Sequence, residues 1–149
     1  MSTSADTSVW VFFYGSNINF DVLKAAGLVP QEWEIARAPG FDIRIAPTAN
    51  LIRSDRHTVW GINATATHAE LADLYTNYVH GDLGQTYLPE AILTFTGEGK
   101  LRPAMAYISH DMVPGDPEPA YLDRITQPAR QLGFPPWYIE RLEAFRPRT

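Results

Sequence analysis

The stretch Val9-Trp10-Val11-Phe12-Phe13-Tyr14-Gly15-Ser16-Asn17-Ile18 decides the fold. Its β-branched and aromatic first half predicts a buried strand over 9–13. Tyr14 to Asn17 reads as the turn after it, and 18–26 has helical composition. Gly27 is placed to end that helix, with Pro30 beyond. A glycine in a strand–turn–helix joint lets backbone N–H groups point outward together. Such a turn can hold a carboxylate or a developing oxyanion. Asn17 is equally suited to cap the helix, so spacing alone leaves both readings open.

Working outward, residues 41–46 alternate apolar and polar as a half-buried strand, and 59–65 read as another. Thr67 and Glu70 fit a capping box. The helix it opens carries Leu71, Leu74, Tyr75 and Tyr78 at i, i+3, i+4 and i+7. Residues 87–95 and 102–109 predict two strands joined by a turn at Gly97-Glu98-Gly99-Lys100, with Pro89 marking an edge or bulge. A helix over 120–132 is expected to kink at Pro128 and to close at Gly133. A last helix follows over 137–145. Strands and helices do not alternate as βαβα, which predicts an α+β fold with a mixed or antiparallel sheet.

Length and composition narrow the classes further. A chain of 149 residues fits one domain: residues 1–8 read as a flexible N-terminus and 9–149 as a single domain. There is no cysteine, which removes disulfides, thiolate metal sites and a cysteine nucleophile. The 12 Lys and Arg are outnumbered by 17 Asp and Glu, giving a net charge of −5 that disfavours nucleic acid and anionic membranes as partners. No apolar run approaches the roughly 18 residues of a membrane span, and the N-terminus lacks a basic leader. The expectation is a soluble, cytoplasmic protein with a small-molecule ligand and no membrane partner. The oligomeric state is open. His57, His68, His80 and His110 never recur at metal-ligand spacing, so no metal is expected. Ser16 lacks a Gly-x-Ser-x-Gly setting. Arg53-Ser54-Asp55-Arg56-His57 reads as a solvated hairpin turn.

Three segments, in order, carry a family resemblance. Phe13-Tyr14-Gly15-Ser16-Asn17-Ile18 resembles the Tyr-Gly-Ser-Asn opening of the γ-glutamylcyclotransferase-like family. Val59-Trp60-Gly61, followed by a helix with Leu71 and Leu74, resembles its central strand and helix. Pro119-Ala120-Tyr121-Leu122, then Ala129 to Pro135 and Tyr138-Ile139-Glu140-Arg141-Leu142, resemble its closing helices. The resemblance implies a small mixed β-barrel with flanking helices. It also implies an activity without a cofactor: the substrate's α-amino group attacks its own γ-glutamyl carbonyl, releasing an amine and 5-oxoproline. Carried across by position, substrate binding falls to Tyr14, Gly15, Ser16, Asn17, Tyr87, Tyr107 and Tyr121. The resemblance further implies a glutamate that takes the α-ammonium proton and returns it to the leaving amine. In Leu74-Tyr75-Thr76-Asn77-Tyr78-Val79, Tyr78 stands at that position. A phenol with a pKa near 10 is a poor base at neutral pH. Tyr78, Asp82 and Glu90 are therefore the catalytic candidates, the two carboxylates as relocated bases. A turn role for Asp82, a solvated Glu90 and a core position for Tyr78 are the competing readings.

Overall fold

The computed structural model describes residues 7–80 and 84–148, apart from the side chain of Tyr78. Five strands close into a barrel in the order β1-β3-β2-β4-β5. They are β1 (Ser8–Phe13), β2 (Trp33–Ile45), β3 (Ala49–Thr67), β4 (Leu88–Thr96) and β5 (Leu101–Ile108). Neighbours run antiparallel except β1 and β5, which meet in parallel at Val11 and Met105 and shut the barrel. The expected α+β class with a mixed barrel and flanking helices is what the chain adopts.

The strand over 9–13 forms as β1, and Val11, Phe12 and Phe13 are all buried. A run apolar at successive positions suits a strand covered on both faces. After it comes a 3₁₀ turn (Ser16–Ile18) and a short helix, α1 (Phe20–Ala25). The cap of α1 is Asn19, whose side chain accepts from the Asp21 N–H; Asn17 is left to face the barrel mouth. The capping box opens α2 (His68–Asp73) as expected, with both reciprocal bonds made.

β2 and β3 are longer than the sequence predicts. β2 already begins at Trp33, and β3 extends back to Ala49. Arg53 to His57 is therefore not a hairpin turn. The ladder jumps from Pro39 opposite Thr58 to Phe41 opposite Arg53, so the polar residues between bulge from β3 while the strand continues. The true turn is the short link over 46–48. Pro89 sits where β4 has only β5 beside it, because β2 pairs with β4 at Phe95 and Thr96 alone. A residue without an N–H is tolerated there.

Two C-terminal helices, α3 (Pro119–Gln131) and α4 (Pro136–Glu143), complete the chain; α3 runs on through Pro128. Tyr121, Leu122, Ile125 and Ala129 form its buried stripe. Between the helices, the Phe134 ring packs on Trp60 of β3 and on Tyr138 of α4. Among the described residues, no helix is long and apolar enough to cross a membrane.

Candidate functional site

The end of β1, the start of β3, the residue before β4 and the first turn of α3 meet at one mouth of the barrel. They border a small concavity of about 30 Å³ that opens to solvent. Its floor is the turn Tyr14, Gly15, Ser16 and Asn17. Glycine is required at 15 because a Cβ there would lie 2.8 Å from the Cβ of Ala49, closer than side chains pack. The turn and β3 thus touch through backbone, and Ala49 becomes part of the wall.

Two tyrosines hold this wall in place, and a third ties the floor to β5. The Tyr121 hydroxyl accepts from the Ala49 N–H at 2.9 Å. The Tyr87 hydroxyl donates to the Ala49 carbonyl and lies 2.9 Å from Thr48 Oγ1. The Tyr14 hydroxyl donates to the Tyr107 carbonyl at 2.5 Å. Asn50, next to Ala49, exchanges two bonds with the backbone of Ser109, tying β3 to the end of β5. A small residue is thereby fixed from both sides by buried phenols, a preorganised geometry.

Tyr14, Gly15, Ser16, Asn17, Tyr87 and Tyr121 therefore come together as the sequence suggests. Tyr107 lies one layer behind, its ring stacked at 3.8 Å on that of Tyr75. Tyr75 and Val79 line the pocket and were not foreseen as site residues. Regular helical spacing places Tyr75 with Leu71 and Leu74 on a core face. From Leu74 to His80, however, the chain is π-helical, and this wider turn presents Tyr75 and Val79 together at the mouth. No α-helical periodicity signals that change.

Of the catalytic candidates, Asp82 and the Tyr78 side chain lie outside the described residues. Glu90 is not among the lining residues; its carboxylate is 2.5 Å from the Arg53 guanidinium on β3. Among the described residues, no group of His, Asp and Glu converges as a metal cluster. Burial dominates the electrostatics. It pushes the Tyr121 phenol up to about 12, even though the Ala49 N–H and the Ser16 side chain favour its ionised form. Burial also raises Tyr14, Tyr75 and Tyr87, and neighbouring tyrosines add to the effect. Every lining phenol is neutral at physiological pH.

Two roomier grooves lie elsewhere. One, of about 430 Å³, runs beside Glu34 and Arg102, whose side chains already pair at 2.6 Å. The other, of about 320 Å³, runs beside Asp42 and Arg141, likewise paired at 2.6 Å. Their charges are satisfied internally, whereas the barrel mouth gathers polar groups from four separate segments around open space.

A scan of protein-family models and a search of curated proteins find no match to the chain. Solved structures do match. A γ-glutamyl cyclotransferase superposes with a TM-score of 0.79 at 22% identity, over 95% of this chain and 90% of that one. A human protein solved as uncharacterized gives 0.78 at 22% identity, over 95% and 89%. A yeast γ-glutamyl cyclotransferase specific to glutathione gives 0.63 at 14% identity, over 93% and 95%. The chain has the γ-glutamylcyclotransferase-like fold.

Proposed function

We propose that the protein binds a small γ-glutamyl-type amide or carboxylate at the barrel mouth. Tyr14, Gly15, Ser16, Asn17, Tyr87 and Tyr121 contact it, and Tyr107 supports them. The observation that carries this reading is the double clamp on Ala49: Tyr87 and Tyr121, far apart in sequence, fix one wall of a concavity whose floor is the Tyr14–Asn17 turn. Such rigidity is what specific recognition of a small ligand needs.

A second reading, turnover to 5-oxoproline, is favoured by the likeness in fold to solved γ-glutamyl cyclotransferases. Ring closure requires a base for the α-ammonium. The buried phenols are too weakly acidic to serve, since their ionised forms are scarce at pH 7. Glu90 is held by Arg53. Under this reading the base falls to Asp82.

Purified protein offered a panel of γ-glutamyl amides decides between the two. Ligand-dependent thermal stabilisation without 5-oxoproline release supports the binding role. Release that is abolished by Asp82→Ala assigns turnover with a relocated base. Tyr78→Glu is expected to add cyclotransferase activity to the same pocket. A folded Tyr78→Glu variant that gains none refutes the placement of residue 78 at the reacting centre.

A further inference from the structure

The chain has no cysteine, so three methionines carry all its sulfur. Met1 lies outside the described residues. Met105 packs against the barrel core from β5. Met112 is placed differently. It stands partly buried in the irregular segment between β5 and α3, and its neighbours Asp111 and Val113 are exposed. Its thioether sulfur is 3.8 Å from Thr48 Oγ1. Met112 thus links a segment bathed by solvent to the clamp on Ala49.

Counting protons shows what that contact controls. A phenol has one proton, and Tyr87 gives it to the Ala49 carbonyl. The bond between Tyr87 and Thr48, at 2.9 Å, is therefore donated by Thr48. Thr48 also has a single proton, and Met112 Sδ is a second acceptor within its reach. A thioether accepts weakly, so the proton stays with Tyr87. Hydrogen peroxide changes that ranking. Its O–O bond breaks, one oxygen forms an S=O bond on Met112, and the other leaves as water. Sulfur loses two electrons and peroxide gains them. The sulfoxide is polar, and its oxygen is a far better acceptor than the thioether. Thr48 is 5% exposed, which leaves water no ready route to replace a bond that Tyr87 loses. We infer that Met112 is an oxidation site that controls the barrel mouth: its sulfoxide draws the Thr48 proton away from Tyr87 and loosens the wall at Ala49. A methionine sulfoxide reductase reverses the change.

The test treats the full chain with dilute hydrogen peroxide, maps sulfoxide by peptide mass spectrometry and follows the melting temperature by calorimetry. Met112 is expected to oxidise before Met105. As it does, the melting temperature is expected to fall by about 1–6 °C, the loss of one hydrogen bond in a chain of this size. Reductase treatment is expected to restore it. Met112→Leu keeps the apolar volume and is expected to melt unchanged after peroxide. Thr48→Val removes the contested proton, so oxidation of Met112 in that variant is expected to lower its melting temperature by less than half as much. Four results overturn the inference. They are oxidation of Met105 ahead of Met112, oxidised Met112 with a fall under about 1 °C, a fall as large in Met112→Leu as in the parent, and a Thr48→Val protein that loses half as much as the parent or more. Each is read without a ligand, so none of them bears on the binding role proposed above.

Discussion

Replacing Tyr121 by Phe removes one oxygen and keeps the ring. The oxygen is the acceptor for the Ala49 N–H at 2.9 Å, and Ala49 is only 3% exposed. Water therefore has no ready route to the abandoned donor. An unsatisfied buried N–H costs about 1–3 kcal/mol. For a chain of this size each kcal/mol moves the unfolding temperature by about 2–4 °C, so a fall of about 2–12 °C is expected. Calorimetry measures it, and urea unfolding with an unchanged m-value shows that the native state is what lost stability. The same variant also loses a hydroxyl at the barrel mouth, so its affinity for a γ-glutamyl amide should fall. Tyr87→Phe attacks the other side of the same peptide unit by abandoning the Ala49 carbonyl. Because both act on one residue, the double variant should depart from the sum of the single effects by at least about 0.5 kcal/mol. A Tyr121→Phe protein that melts within about 1 °C of the parent, and binds as well, refutes the clamp and the site reading built on it.

Gly61→Ala should weaken the β1–β3 seam, because the new Cβ would lie 2.1 Å from the Phe13 carbonyl oxygen and 2.9 Å from the Phe12 ring. Overpacking of this kind costs about 1–3 kcal/mol, and the urea midpoint would report it; an unshifted midpoint refutes the seam argument. Thr67→Ala should cost about 0.5–2 kcal/mol by removing one half of the capping box, with Thr67→Ser recovering most of it. Acid should erode stability partly through Glu34. Burial raises its carboxyl, but bonds from Arg102 and Asn63 outweigh burial and hold it below its ordinary value. A depressed folded pKa means a contribution that is complete above about pH 4.3 and is lost as pH falls through the folded value. Glu34→Gln should flatten the pH dependence in that window, and an unaltered acid slope counts against the assignment.

Much of the barrel is legible because its strands obey a local rule. β1, β4 and β5 show β-branched or aromatic runs bounded by turn residues, and they form where those runs stand. The first half of β2 and the outer half of β3 escape the same rule. Pro39-Gly40 and the polar run Ser54 to His57 look like punctuation, yet the ladder takes the extra residues of β3 into a bulge. What decides there is long-range pairing, which sequence pattern does not contain. The site divides in the same way. The Tyr14–Asn17 turn is legible because a glycine between strand and helix has a local cause. Tyr87 and Tyr121 are placed through resemblance to a known family. Tyr75 is missed because its exposure to the pocket depends on a π-helical turn that no residue in Leu74–His80 announces.

That turn bears on what kind of site this is. Stacking on Tyr107 fixes the Tyr75 ring, so the π-helical segment is locked to β5 by an aromatic contact. The same burial that fixes each phenol also raises its pKa and keeps it protonated. Rigidity and basicity are therefore opposed among the lining phenols: the features that preorganise them for recognition disqualify them as proton acceptors. A carboxylate escapes this conflict, since partial burial lifts it towards neutral pH and into the useful range of a base. Activity gained through Tyr78→Glu, with the Ala49 clamp and the affinity for the ligand carboxylate intact, would separate the two requirements experimentally. Recognition would then reside in the tyrosines, and turnover in a single acid added beside them.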